Sequence, residues 1–169
     1  MLYYLDTVIV IYAVEGNPAD QQRALNHLAA LEQAGHRFAI SELTRTECLV
    51  PVFGPGGGQR LSDFFRFFHG PNLRTLGLTA AMHARASAIR GGHTYPAIPP
   101  AQPKRYGLAD ALHLATAIES GCDRFLTNDS QLANFPDIAI EVLPLPGPHQ
   151  RTRAPLAFMA LRQRPSQAA

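Results

Sequence analysis

"GLADALHLATAIESGCDRFLTND", residues 107–129, is the stretch whose reading decides the fold. Its apolar residues follow a helical pattern over 109–120 that stops at Gly121, and "DRFLTN" then reads as a short buried strand. A helix handed directly to a buried strand is half of a crossover unit, the connection that parallel strands require. Aspartates stand at both borders: Asp110 in the first turn of the helix, Asp129 just past the strand.

The same alternation runs outward along the chain. "LYYL" leads into Asp6-Thr7, predicting a strand over 2–6 followed by a short buried helix through "TVIVIYAV". Asn17-Pro18 breaks that helix, and an amphipathic helix over 20–34 follows with Leu25, Leu28, Ala29 and Leu31 on one face and Gly35 at its end. "RFAIS" is a second strand, and the helix after it carries Glu47 and is ended or kinked by Pro51. "GPGGG" punctuates the chain as a flexible connector before a helix over 59–69, whose Leu61, Phe64, Phe65 and Phe68 predict a broad buried aromatic face. A strand near "LRTLGL", an alanine-rich helix over 79–90, a proline-rich loop over 91–107 and a last strand in "IAIEVL" complete the alternation. Strands alternating with helices imply crossover units on a parallel sheet. The expected domain is 1–143, with 144–169 a proline-rich basic tail that adds no domain.

Composition narrows the function classes. A chain of 169 residues fits one domain and one site, and 46% hydrophobic with 17% charged residues is globular. A formal charge of +2 gives no overall bias toward polyanions, so a nucleic-acid partner has to be argued locally. Cys48 and Cys122 lie far apart without finger spacing, which reads as two reduced thiols in a cytoplasmic protein. "TVIVIYAV" is bracketed by Asp6 and Glu15 and is too short for a membrane span, so neither a membrane nor a cleaved signal is expected.

In an open parallel sheet, ligands gather outside the carboxyl ends of the strands. Asp6 follows the first strand and Asp129 the strand "DRFLTN", while Asp110 and Glu47 sit near the starts of neighbouring helices. Singly, each has a local explanation: a cap for Asp6 and Asp110, an Asn-Asp-Ser turn for Asp129, an exposed helical acid for Glu47. Together they are four acids at one sheet edge, and two carboxylates about 4 Å apart repel by several kcal/mol at an effective dielectric near 20. Protonation or a cation has to compensate, and hard divalent cations held by carboxylates and water work alongside phosphates.

The ordered set "YLDTVIVIYAVEGNP", "SELTRTE", "LADALHLATAI" and "FLTND" resembles the PIN-domain ribonucleases, most closely the VapC-type toxins of bacterial toxin–antitoxin pairs. The resemblance covers residues 1 to about 143. It implies a three-layer α/β/α sandwich on a central parallel sheet, and cleavage of single-stranded or structured RNA with Mg²⁺ or Mn²⁺ to leave a 5′-phosphate and a 3′-hydroxyl. Carried over motif by motif, Asp6, Glu47, Asp110 and Asp129 match the catalytic, metal-binding acids, and Thr7 and Thr127 match hydroxyls that orient them. A cognate antitoxin and a second copy of the chain are the implied partners. The loop 91–107 and the tail after 143 depart from the family pattern.

Other residues weigh less. Arg45, Lys104 and Arg105 are candidates for RNA phosphate contacts, against solvated surface charge as the bland alternative. His113, three residues after Asp110 on the same helix face, is placed for a metal or proton-transfer role, but the apolar pattern around it favours a partly buried structural histidine. Phe64, Phe65, Phe67 and Phe68 fit a core or subunit interface better than base stacking. Val8 stands where a haloacid-dehalogenase-type phosphatase would want a second aspartate, "GPGGGQR" lacks the ending of a phosphate-cradling loop, and no GxGxxG follows the first strand. A non-catalytic module that binds RNA or protein, and a nuclease acting on DNA, are the competing functions.

Overall fold

The computed structural model describes residues 1–53, 58–92 and 106–145. Five parallel strands form the central sheet: β1 (Leu2–Leu5), β2 (Arg37–Ser41), β3 (Leu73–Leu76), β4 (Arg124–Thr127) and β5 (Ala139–Val142), in the order β3-β2-β1-β4-β5. β1 is the centre, with Tyr4 level with Ala39 on one side and Phe125 on the other. Strands buried on both faces have no polar side to show, which is why they read as short apolar runs rather than as an alternation.

Successive side chains point to opposite faces, and the sheet accordingly has two cores. Tyr3, Leu5, Phe38, Ile40 and Leu126 meet the helices α1 (Thr7–Glu15), α2 (Pro18–Gln33), α3 (Glu42–Leu49) and α4 (Gly58–Phe68). Tyr4, Ala39 and Phe125 meet α5 (Ala80–Gly92) and α6 (Leu108–Glu119). The result is the expected three-layer α/β/α sandwich.

Local chemistry fixes most boundaries. Asn17 caps α2 by accepting from the Ala19 and Asp20 N–H groups, and Pro18 takes the first helical position, so α2 begins two residues before the expected start. Ser41 and Thr44 form a reciprocal capping box on α3, and Pro51 lies in the short 3₁₀ turn Val50–Val52 that ends it. Gly35 and Gly121 follow α2 and α6 at φ of +80° and +67°, a conformation that favours glycine.

Two expected faces are corrected. α2 buries Asp20, Ala24 and Leu28 while Leu25 is exposed, because its inward stripe is set by what α1 presents and not by leucine count. α4 buries only Phe64 and Phe68, and Phe65 stands outward, so its aromatic face is narrower than predicted. Cys48 and Cys122 are both buried, and neither is in a disulfide. No helix of the described residues is long and apolar enough to cross a membrane. The connector 54–57, most of the proline-rich loop with Lys104 and Arg105, and the tail from 146 onward lie outside the described residues.

Candidate active site

The strand order locates the site. The chain steps outward from β1 to β2 to β3, then returns to place β4 on the other side of β1. The order reverses between β1 and β4, and the crevice beyond their carboxyl ends is where open α/β sheets bind ligands. Asp6 directly follows β1, and Thr127 ends β4.

Asp6 occupies the N-cap position of α1, yet its side chain makes no capping hydrogen bond. Its Oδ2 instead accepts from the Thr127 hydroxyl at 2.6 Å, across the β1–β4 seam. Burial pushes the Asp6 carboxyl above its ordinary range; His113 and the Thr127 hydrogen bond oppose that, and the negative charge of Asp110 adds to it. A carboxylate at a helix start that does not cap, in surroundings that penalise its charge, is a candidate for a functional site.

Glu47 is not a free surface acid either. Its Oε2 accepts from the Thr7 hydroxyl at 2.5 Å and from His113 Nε2 at 3.0 Å. Burial alone would raise its pKa, but the His113 and Thr7 hydrogen bonds outweigh this and hold it below the ordinary carboxylate range. Asp6 and Glu47 are thus pushed in opposite directions by adjoining surroundings.

Asp110 lies in the first turn of α6, whose N-cap is Gly107, so it favours the helix dipole without being the cap. Its Oδ2 would sit 2.9 Å from a Cβ at position 107, a spacing that glycine permits. Asp110 also raises the pKa of Tyr106, after burial of that phenol. Asp129 keeps its local role: Oδ1 accepts from the Gln131 N–H at 2.8 Å and caps the 3₁₀ turn Ser130–Leu132, while its own N–H donates to Thr127 Oγ1 at 3.0 Å. Thr127 therefore links Asp6 and Asp129 through one hydroxyl.

Arg45 points away from a phosphate role, pairing with Glu42 at 3.2 Å and lying 5.4 Å over the Phe68 ring. His113 is the residue that sequence reasoning undervalued. It is only 3% exposed and bonds to Tyr4 as well as to Glu47 and Thr7. Its position three residues after Asp110 was the available signal. Tyr4 and Ser41, joined at 2.8 Å, gave no signal, since both read as ordinary strand residues.

Among the described residues, no three histidine, cysteine or acidic side chains are gathered closely enough to hold a metal unaided. That arrangement still fits a Mg²⁺-type ion, which keeps several waters and takes one or two carboxylates beside substrate phosphate. Asp110 lies near enough to Asp6 for its charge to raise the Asp6 pKa, and these are the two carboxylates such an ion would take.

No curated protein matches the sequence. Among solved structures, the chain is similar to VapBC2 from Rickettsia felis bound to a DNA fragment from their promoter (22% identity, TM-score 0.65, covering 84% of this chain and 98% of that one). It is similar to DNA-bound VapBC from Salmonella typhimurium (19%, TM-score 0.63, 84% and 98%). It is also similar to VapC20 of Mycobacterium tuberculosis, a Sarcin-Ricin loop cleaving toxin (14%, TM-score 0.55, 73% and 86%). At these identities the likeness establishes the fold. The PIN domain family model matches residues 3–138, from β1 to the threshold of β5 and across every acid of the site, and the chain belongs to the PIN-domain family.

Proposed function

We propose that this chain is a divalent-metal-dependent endoribonuclease that cleaves single-stranded RNA as the toxin of a type II toxin–antitoxin pair. The observation that carries the reading is Asp6: a carboxyl at the β1–β4 switch point, pushed up by burial and by Asp110, and bonded to Thr127 instead of capping α1. PIN domains are generally nucleases and generally use divalent metals, which is the chemistry this carboxyl pair suits.

Asp6 and Asp110 would hold Mg²⁺ or Mn²⁺; bound there, the ion supplies a water of lowered pKa and positive charge for the phosphate oxygens. Thr127 fixes which way the Asp6 carboxylate faces. Glu47, anchored on Oε2 by Thr7 and His113, keeps its remaining oxygen for a water or a ribose-phosphate group at the site. Asp129 adds negative charge at the same edge. Hydrolysis adds water across the P–O3′ bond, leaving a 5′-phosphate and a 3′-hydroxyl whose oxygen takes up a proton.

The structural relatives named as toxin–antitoxin assemblies support a protein antitoxin as partner. Val50, Phe53 and Phe65 are apolar and exposed on the 3₁₀ turn Val50–Val52, the residue after it and α4, and suit contact with that antitoxin or with a second copy in a homodimer.

The test is cleavage of mixed cellular RNA and of single-stranded DNA in Mg²⁺ and in Mn²⁺ by wild type and by Asp6→Asn. RNA cleavage by wild type, stopped by EDTA and absent in Asp6→Asn, is expected. RNA binding without cleavage by wild type would replace the nuclease with a binding module; cleavage of DNA alone would reassign the substrate.

A further inference from the structure

We infer that His113 is a positioning residue for Glu47, held in turn by the buried hydroxyl of Tyr4; this rests on the nuclease reading of the site. His113 lies on α6 among Leu112, Leu114 and Ala115, an apolar setting in which a histidine needs a partner for each ring nitrogen. Nδ1 shares a hydrogen bond with the Tyr4 hydroxyl at 2.7 Å, and Nε2 lies 3.0 Å from Glu47 Oε2 and 3.3 Å from Thr7 Oγ1.

Tyr4 is itself immobilised. It is fully buried at the centre of the sheet, its ring is stacked on Phe125 at 5.3 Å and 11°, and its hydroxyl donates to Ser41 Oγ at 2.8 Å. Ser41 is fixed by the capping box of α3, the helix that carries Glu47. The chain Ser41–Tyr4–His113–Glu47 therefore runs from β2 through β1 and α6 to α3, and closes on the helix where it began.

Solvation of Glu47 does not require His113. The Glu47 side chain is 31% exposed, so water is at hand to solvate its carboxylate. Two donors from different helices nevertheless converge on one of its oxygens. Convergence of that kind selects a rotamer, and the His113 that takes part in it lies one turn after Asp110 on the same face of α6. The structure thus gives α6 two tasks at the site: Asp110 supplies charge, and His113 supplies aim.

The experiment uses the full chain, a fluorogenic single-stranded RNA, and six proteins: wild type, His113→Gln, Tyr4→Phe, Glu47→Gln, and the two doubles that combine His113→Gln or Tyr4→Phe with Glu47→Gln. Initial rates give kcat and KM, and Mn²⁺ affinity without RNA is read by electron paramagnetic resonance. His113→Gln is expected to lower kcat about 10- to 100-fold, the usual cost of losing an outer-shell partner, with KM unchanged. In the Glu47→Gln background the same substitution should cost nothing further in rate or in Mn²⁺ affinity, because the residue it aims is gone. Tyr4→Phe removes one hydroxyl and should show the same pattern more weakly, which keeps the test open should His113→Gln not fold.

Losses that multiply in the doubles, with wild type active, would overturn the positioning role and leave the nuclease intact. A wild type that cleaves no RNA in either metal would overturn both.

Discussion

Thr127→Val is the sharpest test of the seam between β1 and β4. Thr127 is fully buried, and valine replaces its hydroxyl by a methyl of similar volume, so no cavity forms. Two hydrogen bonds disappear: the one donated to Asp6 at 2.6 Å and the one accepted from the Asp129 N–H at 3.0 Å. A bond to an ionised group contributes about 1.5–3 kcal/mol and a neutral one about 1 kcal/mol, so the variant should lose roughly 2.5–4 kcal/mol with Asp6 ionised, the form that alkaline pH, about pH 8, favours. Toward about pH 4.5 the penalty should shrink, because burial and Asp110 favour the protonated carboxyl and only hydrogen bonds between neutral groups are then lost. The sign follows from linkage: a carboxyl whose folded pKa is raised contributes stability that is fully present below the unfolded pKa and is lost as pH rises through the folded one. Removing the hydroxyl that opposes this shift enlarges the loss on the alkaline side. Urea unfolding followed by circular dichroism, in EDTA at both pH values, measures it; Thr127→Ser should recover most of the stability. An equal penalty at the two pH values, or one below about 0.5 kcal/mol at about pH 8, would refute the reasoning.

The two acids on the β1 and β2 sides should behave oppositely. Asp6→Asn should abolish cleavage while leaving metal-free stability at about pH 8 unchanged or higher, since it deletes a charge that burial penalises; a clear fall in the urea midpoint would contradict this. Glu47→Gln should lower the urea midpoint at neutral pH, because a depressed carboxyl contributes stability above its unfolded pKa that vanishes as pH falls through the folded one, so wild type and variant should converge in acid. Gly107→Ala should push the Asp110 carboxylate from its place, reducing cleavage about 100-fold for a displacement near 1 Å while stability changes by less than about 1 kcal/mol; unimpaired kinetics would remove Asp110 from the site. Val50→Ser with Phe53→Ser should leave the melting temperature within about 2 °C, as both side chains are exposed, and weaken capture by the antitoxin or by a second copy in sedimentation.

Much of this architecture was readable because it rests on local chemistry. Gly121, Asn17-Pro18, Ser41 and Pro51 each act through a backbone preference that the residue type carries, and the elements they bound appear within two residues of the expected limits. Phase along a helix was harder. Leu25 and Phe65 look as apolar as their buried neighbours, and only the partner surface decides that Leu28 and Phe64 turn inward. The acids divide in the same way. Asp129 does what its Asn-Asp-Ser setting suggests, whereas the abandonment of capping by Asp6 depends on Thr127, which strand order alone brings beside it. His113 was hidden by its surroundings: a histidine between two leucines reads as core, and its hydrogen bonds to β1 and α3 involve residues with no periodic relation to it.

The central place of β1 has a consequence for how the protein comes into being. The first strand of this sheet to leave a ribosome is its middle strand, and β2 and β3 complete only one side of it. Its other neighbour arrives late, for Asp6 and Thr127 are 121 positions apart, and closing so long a loop is the slow, entropically costly part of building such a sheet. A nascent chain that has already formed β1, β2 and β3 still lacks the helix bearing Asp110 and the strand bearing Thr127. If the target is RNA, the translating ribosome that makes this protein is spared by topology until nearly the whole domain has been synthesised.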